Sequence, residues 1–106
     1  MIVTISARHM EVTDSLRNYA EQKAGKLPKY FDRIQEIEVV FDAGKANVTV
    51  EMIVHAEHRN MFVVKHDEGD AYACIDGCMH KLERQLSEHK QMHRNRKHMA
   101  ADKATL

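Results

Sequence analysis

The segment HKQMHRNRKHM, from His89 to Met99, packs three histidines, two lysines, two arginines and two methionines into eleven residues. Three chemistries fit that composition. His89 and His93 are four apart, the spacing that sets two imidazoles on one helical face and that zinc-binding helices use. Lys90, Arg94 and Lys97 make an equally regular basic row, suited to phosphates. A basic helix could also lie on a membrane surface, but it would need Leu, Phe or Trp on its apolar side, and residues 87 to 99 offer only two methionines. The metal fares little better. Zinc takes four ligands, or three and a water; His98 is out of phase with the pair and no carboxylate pair completes the set. Phosphate binding is the chemistry the segment favours, with the histidines as surface groups.

Elsewhere the reactive residue types are sparse. Cys74 and Cys78 are the only cysteines, and one helical turn apart they suit neither a stapled secreted scaffold nor a CxxC redox motif. They read as small buried hydrophobes kept reduced. No G-x-S-x-G, P-loop or HExxH is present. Asp76 and Glu83 could share a helical face but have no identifiable cleft or partner, and no arrangement requires His80 or His89 as acid and base. The expectation is a protein that is not an enzyme, with no cofactor and no small-molecule substrate.

A chain of 106 residues suffices for one domain with its own core, and residues 1–106 are expected to form a single unit. It has no run of about 18 apolar residues and no secretory leader, so a soluble, cytoplasmic protein is expected. The net charge is zero, but it is divided. Residues 1 to 33 carry six Lys/Arg against four Asp/Glu, residues 34 to 70 three against eight, and residues 71 to 106 seven against four. The ends are basic and the middle is acidic. Such an asymmetry bears on partners if the fold brings the ends together.

The elements that would do so can be read from periodicity. MIVTISA alternates as a strand, with Ile2 and Thr4 on one side and Val3 and Ile5 on the other. Thr13 then caps a helix over about Asp14 to Leu27, carrying Leu16, Tyr19, Ala20, Ala24 and Leu27 at helical spacing and ending before Pro28. IQEIEVVFD and ANVTVEMIVHA are half-buried antiparallel strands: Ile37, Val39 and Phe41, and Val48, Val50, Met52 and Val54, face the core, with Glu36, Glu38, Glu51 and His55 opposite. DAGKA and EHRN are hairpin connections, and MFVVKH is a fourth strand. From an N-cap at Asp70, the residues Ala71, Ile75, Cys78, Met79, Leu82 and Leu86 form a helical stripe. Past Leu86 the stripe fades into a basic extension over about residues 91–106, expected to be flexible.

The order is β-α-β-β-β-α, an α+β fold with both helices on one face of a four-stranded sheet. That arrangement would place Lys23, Lys26, Lys81, Arg84 and Lys90 on one side of the molecule and Glu36, Glu38 and Glu51 on the other. A neutral but bipolar protein of this kind could engage phosphates from one direction.

KLPKYFDRI (Lys26 to Ile34) and GDAYACIDGCMHKLERQLSEHK (Gly69 to Lys90) together resemble the short ribosome hibernation promoting factor family, also called protein Y or ribosome-associated inhibitor. The resemblance runs from VTISARHMEVTDSLRNYAEQK onward and covers nearly the whole chain. It implies a fold like a double-stranded-RNA-binding domain and a role in stationary phase or stress. It also implies a protein, monomeric when free and without membrane contact, that occupies the mRNA and tRNA channel of the small ribosomal subunit, inhibiting translation without making or breaking a bond. The positions matching the family's basic pattern are Lys23, Lys26 and Arg33, with Lys29 beside them, and Lys81, Arg84 and Lys90; Arg94, Arg96 and Lys97 extend the face. Their implied role is pairing with ribosomal RNA phosphates, which positions without reading sequence. Tyr30 could stack on an unpaired base or cap the core. Departures from the family pattern include Glu88 and Met92 in the lysine series of the tail, His80 where an acid is common, and Cys74 where Ala is usual. Alternatives are a general structured-RNA-binding module and a His-tail metal-binding stress protein.

Overall fold

A computed structural model describes the backbone of residues 1–105 and the side chains of residues 1–89. Strand β1 (Ile2–Arg8) alternates as its sequence does: Val3, Ile5 and Ala7 pack against the core while Ile2, Thr4, Ser6 and Arg8 are exposed. Helix α1 (Asp14–Ala24) starts at Thr13, whose Oγ1 accepts a 3.1 Å hydrogen bond from the Leu16 amide, and Asp14 lies in its first turn. It ends three residues short of the expected Leu27. Pro28 disfavours helical backbone at the residue before it, and the chain tightens into a 3₁₀ turn (Leu27–Lys29) that still buries Leu27.

Strands β2 (Ile34–Ala43), β3 (Val48–Ala56) and β4 (Met61–Glu68) complete a sheet of order β1-β2-β3-β4. The β2–β3 and β3–β4 pairs are antiparallel, but β1 runs parallel to β2. A parallel pair needs a crossover, which α1 supplies. The β3–β4 connection contains a 3₁₀ turn (Glu57–Arg59) in which His58 and Arg59 both have positive φ, the left-handed backbone that two-residue hairpin turns of primed type also use.

Helix α2 (Ala71–Thr105) opens at Asp70, whose Oδ1 accepts from the Tyr72 amide at 3.2 Å. Its stripe of Ile75, Cys78, Met79, Leu82 and Leu86, with Cys74, is buried. These residues join Leu16, Ala20, Ala24 and Leu27 below α1 and Ile37, Val39, Phe41, Val50, Met52 and Val54 of the sheet in one core. Both helices therefore lie on the same sheet face. The thiols serve that packing: Cys74 and Cys78 Sγ donate to the Val48 and Val50 carbonyls at 3.1 and 3.2 Å. Burial pushes the Cys78 thiol up to about 12 and raises that of Cys74 as well, which suppresses the reactive thiolate.

One helix position sets how closely α2 seats on the sheet. A Cβ at Gly77 would fall 2.5 Å from the Cγ and Cδ2 atoms of His66 on β4. Glycine in a helix interior is disfavoured by about 1 kcal/mol relative to alanine, and here it makes room for the imidazole.

Candidate nucleic-acid interface

The cations at the end of α1 form a row. Lys26 N–H donates to the Lys23 carbonyl at 3.1 Å and Lys29 N–H to the Lys26 carbonyl at 3.2 Å. In backbone wound this tightly, residues three apart nearly eclipse, so Lys23, Lys26 and Lys29 follow one another along one line. Lys26 and Lys29 are exposed, and among the described residues neither enters an ion pair. Lys23 is half-buried, its Nζ 5.2 Å from the centre of the Tyr19 ring. Tyr19 in turn ties the helices together. Its hydroxyl donates to Asp76 Oδ1 at 2.6 Å and its ring meets the Tyr72 edge at a centroid distance of 5.1 Å. The hydrogen bond to Asp76, with desolvation, raises the Tyr19 phenol above its usual range.

The other expected contacts are not equally free. Arg33 Nη1 pairs with Glu57 Oε2 at 3.1 Å, beside a 3.0 Å bond from the Glu57 amide to the Arg33 carbonyl. Arg84 Nε pairs with Glu88 Oε1, one turn on, at 3.1 Å. Lys81 Nζ donates to the Lys65 carbonyl of β4, so it reaches the sheet-edge flank of α2, away from α1. Summed over Asp14 to Arg33, five Lys/Arg stand against three Asp/Glu; over Ala71 to His89, two stand against three. The positive excess therefore sits at the end of α1, not on the described part of α2. The side chains of Lys90, Arg94, Arg96 and Lys97, and of His93 and His98, lie outside the described residues.

His89 is described, and it is packed rather than free. Its ring lies 5.7 Å from Phe31 and 5.3 Å from Phe62, which are 6.0 Å from each other. This triangle joins the lysine-bearing loop, β4 and α2 where the stripe of α2 gives out. Tyr30 is half-buried against the core, which favours its capping role. Among the described residues no group of three or more metal-ligating side chains converges.

The far side of the sheet is acidic. The registers align Thr4, Glu38, Ile53 and Val63 across the four strands, and Ser6, Val40, Glu51 and Lys65 in the next row. With the flanking rows, this face carries Glu36, Glu38, Asp42, Glu51 and Asp67 against Arg8 and Lys65. Several of the acids have local partners: His55 Nε2 is 2.6 Å from Glu38, His9 Nδ1 2.9 Å from Asp42, and Thr4 donates to Glu36 at 3.2 Å.

The sequence offered the lysines as candidates but not the Tyr19–Asp76 tie, the Phe31–Phe62–His89 triangle or the pairing of Arg33. The threefold spacing of Lys23, Lys26 and Lys29 was a visible signal for the row. The long-range pairs carry no such signal.

Fold and interface together define an α+β protein with a row of lysines at one end of its helical side and a largely acidic far side of the sheet. The chain belongs to the Sigma 54 modulation protein / S30EA ribosomal protein family, whose model matches residues 3–94. It is 37% identical over 91 residues to a ribosome hibernation promoting factor of Azotobacter vinelandii, covering 86% of this chain and 84% of that protein. It is 36% identical over 90 residues to the protein of that name from Escherichia coli K12, covering 85% and 94%. Among solved structures, a ribosomal subunit interface protein from Coxiella burnetii superposes with a TM-score of 0.80 at 26% identity, over 86% of this chain and 99% of that one. The N-terminal domain of Thermus thermophilus Protein Y does so with a TM-score of 0.76 at 28% identity, over 83% and 98%.

Proposed function

We propose that this protein is a ribosome hibernation factor that docks its helical side on the small ribosomal subunit, occupies the channel used by mRNA and tRNA, and so inhibits translation in stationary phase or stress. The observation that carries the reading is the row of Lys23, Lys26 and Lys29, lying inside the segment that matches the family. Lysines at successive threefold positions suit successive backbone phosphates, each contact displacing a condensed counterion. Lys81, Arg84 and the cations from Lys90 to Lys97 extend the contact along α2, and Arg33 joins it when released from Glu57. Inhibition is by occupancy and no bond is made or broken. The partner is small-subunit ribosomal RNA, the free protein is monomeric, residues 1–106 act as one ribosome-binding unit with a basic C-terminal extension, and the setting is the cytoplasm.

Co-sedimentation with small subunits tests this. Lys26→Glu with Lys29→Glu should abolish association while the melting temperature stays within a few degrees, because exposed charges contribute little to stability; Lys23→Glu with Lys81→Glu should abolish association too. Wild-type binding should weaken steeply with salt and compete with tRNA and mRNA. Normal co-sedimentation of both double variants would exclude the helical side, and binding to free duplex RNA without that competition would exclude the channel.

A further inference from the structure

The outward face of the sheet takes no part in the proposed RNA contact, and its surface is unusual for a solvated sheet. Such a face is ordinarily polar. Here Met61 is 59% and Val63 44% exposed, and Ile53 lies directly opposite Val63. Carboxylates flank this apolar patch in part: Glu38, 2.6 Å from His55 Nε2, opposes Ile53, Glu51 sits in the next row opposite Lys65, and Asp67 lies beyond Lys65 along β4. Across the whole face five carboxylates stand against two cations, an excess of three negative charges. Phosphates would be repelled from it. A chain bearing both lysine or arginine and aliphatic side chains would be matched on both counts.

The edge of the sheet narrows how such a chain could bind. Lys81 Nζ already occupies the Lys65 carbonyl of the edge strand β4, which obstructs addition of a further strand there. The mode the patch itself offers is to lie across the face, with aliphatic groups on Ile53, Met61 and Val63 and cations on the flanking acids. We propose that the outward face of β2–β4 is a docking surface for a basic, aliphatic-bearing segment of a partner protein, on the side of the molecule opposite the lysine row. Both surfaces can then be engaged together.

The probe is a short synthetic peptide alternating lysine and leucine, titrated into the ¹⁵N-labelled full chain; it needs no ribosome, so its outcome is independent of the RNA reading. Amide shifts should concentrate on outward residues of β3 and β4. Glu38→Gln with Glu51→Gln should weaken binding by about tenfold, Val63→Ser should weaken it too, and Lys26→Glu should leave it unchanged. A peptide with serine in place of leucine should bind more weakly. The proposal is overturned if shifts map to the helices, if none occur, if the serine peptide binds equally well, or if an unlabelled second copy of the chain produces the same shifts.

Discussion

Replacing Gly77 with alanine sets two effects of known sign against each other. Alanine gains about 1 kcal/mol in a helix interior. Its Cβ, however, would lie 2.5 Å from Cγ and Cδ2 of His66 and 2.7 Å from Nε2, whereas carbon atoms pack comfortably at about 3.5–4.0 Å. The ring, or the helix, must move by roughly 1 Å. Swinging the ring breaks its 2.9 Å hydrogen bond to Glu68, a loss of about 0.5–1.5 kcal/mol before solvent compensates. Lifting α2 instead incurs an overpacking penalty of about 1–3 kcal/mol. The two effects nearly cancel where the ring swings and the clash wins by about 1 kcal/mol where α2 lifts, so the melting temperature should fall by up to roughly 4 °C. In a His66→Ala background the obstacle is gone and the same substitution should stabilise by about 1 kcal/mol. Urea unfolding of the four proteins gives the cycle, with an expected coupling of about 1–2 kcal/mol. Equal stabilisation by Gly77→Ala in both backgrounds would refute the account of how α2 is seated.

Three further outcomes follow from particular contacts. Glu57→Gln releases Arg33 and removes a nearby negative charge, so affinity for small subunits in a co-sedimentation titration should rise, by up to about fivefold given that exposed pairs are worth at most about 1 kcal/mol. Cys78, with its thiol raised to about 12, should resist a thiol-specific dye in the native protein near neutral pH and react once urea unfolds the chain. Tyr19 is raised by its bond to Asp76, so the stability it confers is present below the unfolded phenol value of about 10 and is lost as pH climbs through the higher folded value. Tyr19→Phe should flatten that alkaline loss in unfolding curves taken on either side of pH 10.

The fold was legible where burial is one-sided. The alternation of β2 and β3 and the stripe from Ala71 to Leu86 each specify a buried face, and two helices plus a half-polar sheet leave few arrangements. The parallel pairing of β1 with β2 was not legible, since alternation reports which side of a strand is buried and not the direction of its neighbour. The early end of α1 was obscured because Leu27 keeps helical phase and stays buried even in the 3₁₀ turn. At the candidate interface, residue types and spacing offered the cationic residues. Their availability depends on partners distant in sequence, such as Glu57 for Arg33, and the packing of His89 depends on Phe31 and Phe62, which become neighbours only when loop, strand and helix meet.

Zero net charge also bears on how such a protein would find RNA. With 16 cationic and 16 anionic side chains there is no net charge to attract it from afar, and the field of separated charges of opposite sign falls away faster still and is screened beyond about 8–10 Å. Attraction must begin at close range and depends on orientation. An approach with the lysine row forward gains phosphate contacts, whereas an approach with the sheet forward brings an excess of three carboxylates against the phosphates. A uniformly basic protein would adhere in any pose. With the lysine row as the proposed RNA contact, the acidic sheet would act against wrong poses, and its neutralisation by Glu38→Gln with Glu51→Gln should raise binding to arbitrary RNA more than binding to the small subunit, narrowing the ratio between them.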